Sequence, residues 1–262
     1  SPMIDPLMFI ALLPAVVLVV YICRKDRTDK EPPALIAKLL GYGVLSCLPA
    51  IVVELILSAI IERLNVRNVY LGYFLEAFVV AGLTEETCKF LFLRTTWRNP
   101  AFDYQFDAIV YAVMVALGFA AFENVKYVYS YGFATGIVRA VTAVPGHAIF
   151  GVFMGYFYGY AKLSDYWGRD DDRKAYLALS VVVPVLMHGC YDFLAFTQES
   201  DSRFTLLFYA YLVALYVFGI RRVNRSSRDD RRVTRETVFD YFRRMQYPMP
   251  PQYRDRNDDF WR

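Results

Sequence analysis

The chain has 262 residues, of which 56% are hydrophobic and 17% aromatic, and carries a formal net charge of +3 at pH 7. So small a charge gives no ground for a nucleic-acid partner, and repeated apolar runs of about 20 residues exclude an ordinary soluble domain. The strand alternation of an outer-membrane barrel is also absent, which leaves a polytopic helical membrane protein.

Apolar runs fall near residues 6–23, 35–61, 69–93, 106–128, 134–161, 175–197 and 204–220. They predict an all-α transmembrane bundle of about seven spans, or eight if one long run is broken. The first run reads as a signal anchor. In the second, Gly41, Gly43 and Pro49 make a kink plausible. Cys23, Cys47, Cys88 and Cys190 lie in or beside apolar runs without a CxxC pair, and read as small core residues.

Basic residues concentrate in alternate loops. Arg24, Lys25, Arg27 and Lys30 follow the first run, Arg94 and Arg98 the third, and Lys162, Arg169, Arg173 and Lys174 the fifth. Arg221, Arg222, Arg225 and Arg228 follow the last, whereas the intervening loops are poor in Lys and Arg. The positive-inside rule then places the N-terminus outside and the C-terminus in the cytoplasm. Residues 221–262 form a basic tail suited to an anionic inner leaflet. Within it, Val238, Phe239, Phe242 and Met245 predict a short interfacial helix over 234–246, and 247–262 reads as disordered.

The third run is interrupted by Leu83-Thr84-Glu85-Glu86-Thr87-Cys88-Lys89-Phe90. A charge at the centre of a spanning helix costs about 2.5–3.5 kcal/mol on insertion scales, so such residues usually have a use. The other intramembrane polar residues are Glu76 on the same run, Asp107, Glu123 and Asn124 on the fourth, Arg139 and His147 on the fifth, and His188 and Asp192 on the sixth. His147 and His188 are the chain's two histidines. Four-residue steps put Glu85 with Lys89, Phe119 with Glu123, and His188 with Asp192, each pair on one helical face. At 1.5 Å per residue, Glu85, His188, His147 and Glu123 lie roughly 14, 20, 22 and 24 Å from the basic side, close enough in depth to share one layer.

Amide hydrolysis needs an activated water, a proton for the leaving amine and donors for the oxyanion. A glutamate in a partly apolar cavity suits the base, an imidazole can hold the water or face the oxyanion, and Asp192 could orient His188. Glu85, Glu86, His147, His188, Glu123 and Asp192 are therefore the candidate catalytic set, with Lys89, Asn124 and Arg139 in support. A zinc reading also fits, with His147, His188 and Glu123 as ligands, although no HExxH motif is present. The set without an obligatory cofactor is the favoured one. Gly151, Gly155 and Gly159 read as a close-packing face, and the aromatic stretch 126–133 as an interfacial belt or a lid.

In this order on successive spans, Glu85-Glu86-x-x-Lys89, Phe119-x-x-x-Glu123, His147 and His188-x-x-x-Asp192 resemble the PrsW intramembrane proteases, as does Asp29-Lys30-Glu31-Pro32-Pro33. More distantly the set is similar to the CAAX-processing endopeptidases, with Glu123 where those have a histidine and Asp192 where they have an asparagine. The resemblance implies a transmembrane protease domain over residues 1–220 in a multi-pass plasma-membrane protein. It further implies first-site cleavage of a single-span anti-sigma factor, which starts release of an extracytoplasmic-function sigma factor. By the same likeness Glu85 and Glu86 are the essential pair, with Glu85 as base. Two rival readings of another class are a proton-coupled transporter and a non-catalytic membrane scaffold.

Overall fold

The computed structural model describes residues 5–233. The expected interfacial helix over 234–246 and the disordered end at 247–262 lie outside the described residues.

Among the described residues the regular structure is helical: α1 (Pro6–Lys25), α2 (Pro33–Arg63), α3 (Val69–Phe74), a π-helical segment (Leu75–Leu83), α4 (Thr84–Leu93), α5 (Gln105–Tyr131), α6 (Phe133–Val141), α7 (Ala143–Tyr166), α8 (Asp170–Ser200) and α9 (Phe204–Arg228). Local sequence accounts for several ends. Asp5 accepts from the Leu7 amide and Pro6 occupies the first turn, so α1 starts there. Asp107 in the first turn of α5 takes the amides of Asp103 and Tyr104. Gly132, at a φ of 88°, ends α5 and lets the chain reverse into α6.

The bundle is organised around α5. Ala108 through Leu117 are all 2% exposed or less, as expected of a helix that is apolar on every side. Small residues let its neighbours come close. Gly43 of α2 faces Gly118, where an added Cβ would meet Leu40 O at 2.1 Å. Gly151, Gly155 and Gly159 of α7 lie on the Ala108–Ala116 side of α5, and a Cβ at Gly155 would meet Ala108 O at 2.3 Å. The glycine stripe is thus the close-packing face that its spacing predicts.

The outer surface reverses the usual polarity of a protein exterior. Leu48, Val52, Leu55 and Ile56 of α2 and Leu206, Val213 and Phe218 of α9 are exposed, while Glu85, Glu86, Lys89, His147 and His188 are buried. Apolar exteriors on helices of this length belong in lipid. Six helical stretches among the described residues are long and apolar enough to cross a membrane, counting α6–α7 as one. The stretch from α3 to α4 is the remaining apolar run, the third in chain order, divided by the π-helical segment. The protein is a multi-pass membrane protein.

Two features depart from the simple pattern of runs. α2 continues unbroken through Gly41, Gly43 and Pro49. A break falls in the fifth run, at Thr142 (φ −121°, ψ −69°), which separates α6 from α7. Between Leu75 and Leu83 the third run widens into a π-helix, a rare geometry that concentrates at functional sites. α8 packs tightly here. Cβ atoms at Gly82 and Gly189 would lie 3.1 Å from Val185 O and 2.3 Å from the Phe78 ring.

Candidate active site

The π-helical segment delivers the chain directly into α4, whose first turn carries Glu85 and Glu86. Both acids are almost sealed from the outside, at 6% and 0% exposure. Lys89, one turn on, is 1% exposed and reaches back to both, with Nζ 3.1 Å from Glu85 Oε2 and 2.8 Å from Glu86 Oε1. Its ammonium also sits 4.0 Å from the centre of the Phe119 ring, so the Phe119 step of α5 joins the site through its π face.

α7 and α8 contribute the imidazoles. His147 Nδ1 is 3.1 Å from Lys89 Nζ, and its Nε2 is 3.0 Å from Glu123 Oε2. The neutral ring that accepts from the ammonium at Nδ1 therefore carries its proton on Nε2 and donates to Glu123. His188 Nδ1 is 2.9 Å from Glu86 Oε1 and 3.9 Å from Glu85 Oε2. Its Nε2 is 3.2 Å from Asp192 Oδ2, the four-residue partner expected on the same face. The two rings meet edge to face at 5.1 Å, and Phe150 stacks on His188 at 5.0 Å.

A second polar layer holds Glu123. Arg139 of α6 donates through Nη2 to Glu123 Oε2 (2.7 Å) and through Nε to Asn124 Oδ1 (3.0 Å). Asn124 in turn donates to the Ala11 carbonyl of α1 at 2.8 Å. The Arg139 guanidinium lies 3.9 Å from the Tyr127 ring, so part of the aromatic stretch in the last turns of α5 packs against this layer. Every candidate residue, Glu85, Glu86, Lys89, Glu123, Asn124, Arg139, His147, His188 and Asp192, thus belongs to one connected network. Glu76 stands apart, bonded to Ser58. Gly151, one turn from His147, packs on α5 and takes no part.

Sequence reasoning did not single out Phe150, which is one of 21 phenylalanines and carries no polar signal. It also gave Glu123 to the metal variant. The donor atoms that cluster are instead those of Glu85, Glu86, His147 and His188, all within 4.8 Å of one another, and Glu123 lies outside that group against Arg139.

Two imidazoles with carboxylates suit a zinc-type ion. Charge agrees, since four carboxylates (Glu85, Glu86, Glu123, Asp192) face two fixed cations, Lys89 and Arg139. One divalent ion, or two protons, would balance the remainder. Glu86 Oε2 is buried and has no hydrogen-bond partner among the described residues. Against this, the Lys89 ammonium already touches three of the four donors. The donor set fits an ion in type and charge on condition that Lys89 withdraws.

Comparison with known proteins assigns the family. A family model described as PrsW family intramembrane metalloprotease matches residues 31–220. Protease PrsW of Bacillus subtilis (strain 168) is 34% identical over 216 residues, covering 82% of this chain and 93% of the relative. Protease PrsW of Oceanobacillus iheyensis is 35% identical over 217 residues, covering 82% and 94%, and that of Geobacillus kaustophilus is 32% identical over 214 residues, covering 81% and 88%. No solved structure matches the chain. A family model that matches well over half of the chain, together with relatives 34% and 35% identical along most of its length, shows that the chain belongs to the PrsW family of intramembrane proteases.

Proposed function

We propose that this intramembrane endopeptidase cleaves a single-span membrane protein, of the anti-sigma-factor class that the family resemblance implies, with a water activated by Glu85. The observation that carries the reading is the Lys89 ammonium between Glu85, Glu86 and His147, a resident cation at the centre of the acid pair.

The two glutamates have different surroundings. Glu86 is held by Lys89 and His188 and fully enclosed, which suits an anchor. Glu85 makes one short contact, to Lys89, and keeps slight exposure, which suits a base that must meet water and substrate. Glu85 takes a proton as the water oxygen bonds to the amide carbon. The oxyanion that forms is stabilised by the Lys89 ammonium and by His188, which Asp192 orients. As the C–N bond breaks, protonated Glu85 returns its proton to the departing amine; the new carboxylic acid then gives up its own proton, which ends on the amine, leaving a carboxylate and an ammonium. His147 relays the position of Lys89 to Glu123 and Arg139 and keeps the site assembled.

A metal-dependent variant is the second reading, favoured by the four clustered donors and by the description of the matching family. Glu85, Glu86, His147 and His188 would hold the ion, which would supply Lewis acidity to the water or the carbonyl. Membership in a protease family argues against the transporter reading, and the intact polar network argues against a scaffold that has lost its chemistry.

Co-expression of tagged single-span anti-sigma factors with the wild type and with Glu85→Ala tests the proposal. A fragment made by the wild type alone supports it, and a fragment made equally by Glu85→Ala contradicts it. Metal content of the purified, active protein separates the two variants.

A further inference from the structure

At the arginine-rich end of the bundle lies a polar cavity that the protease chemistry does not use. It encloses about 200 Å³ between α5, α7 and α9, and its walls include Arg222, Arg225, Arg231, Tyr156, Tyr160 and Gln105. Asp229 also lines it, 3.6 Å from Arg225. Three arginines against one aspartate leave the walls positive. Arg222 is half-buried and held 4.0 Å over the Tyr156 ring, so its guanidinium is fixed before any ligand arrives.

The depth of this cavity is informative. Arg222 is eighteen residues along α9 from Phe204, roughly 27 Å at the helical rise, which is close to the thickness of the hydrocarbon core. The arginines therefore sit where acyl chains give way to headgroups. Phe218, Arg222 and Arg225 follow one another at four and three residues and share one face of α9. Phe218 is 61% exposed and lies on the hydrocarbon side of the arginines. One face thus offers an apolar rail leading into a cationic cup.

We infer that the cavity between α5, α7 and α9 binds the phosphate-bearing headgroup of an anionic phospholipid, with Arg222 and Arg225 on the phosphate and an acyl chain along Phe218. Guanidinium forks match phosphate oxygens geometrically, and tyrosine hydroxyls can serve the glycerol end of a headgroup. The leaflet is the one to which the positive-inside rule assigns the cytoplasm, where anionic lipid attracts basic residues. A free phosphate ester has the same headgroup chemistry and lacks the acyl chain, so the two sources can be told apart.

The test uses full-length protein in nanodiscs of phosphatidylcholine alone or mixed with phosphatidylglycerol, with retained lipid counted by native mass spectrometry. Phosphatidylglycerol is expected to remain bound and phosphatidylcholine to be lost. Arg222→Gln combined with Arg225→Gln should lower retention roughly tenfold or more. Arg221→Gln combined with Arg228→Gln removes the same charge from exposed positions outside the cavity walls and should leave retention unchanged. Equal loss in both double variants would overturn the site in favour of diffuse attraction. Displacement of the lipid by inorganic phosphate or glycerol 3-phosphate would overturn the lipid assignment in favour of a soluble anion. Should the double variant fold poorly, Arg225→Gln alone leaves the Arg222–Tyr156 stack intact and should still lower retention by about threefold. No change in that variant counts against the proposal.

Discussion

The ammonium of Lys89 on α4 lies 3.1 Å from Nδ1 of His147 on α7, and this contact joins the acid pair to the Glu123–Arg139 layer. Lys89 is thus both the counter-ion of Glu85 and Glu86 and the link between two halves of the network. Replacing it by Met would leave two buried carboxylates without their cation. Breaking a buried pair in this way costs about 3–5 kcal/mol. Lys89→Met is expected to lower the thermal midpoint in detergent sharply and to stop cleavage. If Lys89→Met instead kept activity and gained a bound divalent ion, the metal-dependent variant would be the correct one.

Glu85 and Glu86 should separate in their stability effects. Glu85→Gln keeps the shape of the side chain and is expected to reduce turnover by about 10²–10⁴-fold, the range for loss of a general base, with little change in melting. Glu86→Gln also removes the charged partner of Lys89 and His188, so it should lower turnover and melting temperature together. Parallel melting and cleavage assays on the two variants check this difference.

Arg139 holds Glu123 and Asn124 from α6 without touching the acid pair. Arg139→Gln is expected to cost about 1–3 kcal/mol of stability and to lower turnover through the loosened His147. A double-mutant cycle with Glu123→Gln measures the coupling. Additive effects would show that the two residues act independently.

Helix contact sets the tolerance of the glycines. Gly155→Ala would place a methyl 2.3 Å from the Ala108 carbonyl, a backbone atom that cannot give way without moving α5. Overpacking of this kind costs about 1–3 kcal/mol or more. Gly41→Ala on α2 meets nothing within 4 Å and should be neutral or stabilising by about 0.5–1 kcal/mol. Thermal midpoints of the two alanine variants provide the comparison.

The loop between α1 and α2 gives stability a pH dependence. Burial pushes Asp26 up to about 6, against a backbone hydrogen bond from Glu31. Burial pushes Glu31 up to about 7, against the Tyr111 hydroxyl that donates to it. Asp29, Asp103 and Asp230 nearby add further negative charge. Both groups hold protons more tightly folded than unfolded, so their contribution to stability is greatest near or below the ordinary carboxylate range. It declines as pH rises through about 6 and 7. The melting temperature should therefore fall between about pH 4 and 7 by this contribution, on the order of a few degrees, and level off above. Glu31→Gln should flatten the upper part of that slope.

The membrane class and the helices that carry the site were legible because runs of apolar residues need nothing beyond local sequence. The pairing of His188 with Asp192 was legible for the same reason, since a four-residue step has one geometry on a helix. The break at Thr142 was not. It separates α6, whose Arg139 reaches Glu123, from α7, and the apolar pattern carries on through both. The π-helical segment depends on the close approach of α8 at Gly82 and Gly189, which is tertiary information. The contact of Glu123 with Arg139 is not legible either, because the two are sixteen residues apart on helices whose break the apolar pattern hides.

Cleavage by the purified protein in liposomes tests the central claim most directly. A single-span anti-sigma factor is reconstituted with wild type or with Glu85→Gln in water enriched in ¹⁸O, and the products are weighed by mass spectrometry. The account predicts a wild-type fragment whose new C-terminal carboxylate has gained one heavy oxygen, and no such fragment from Glu85→Gln. The same labelled fragment at the same rate from Glu85→Gln would contradict it.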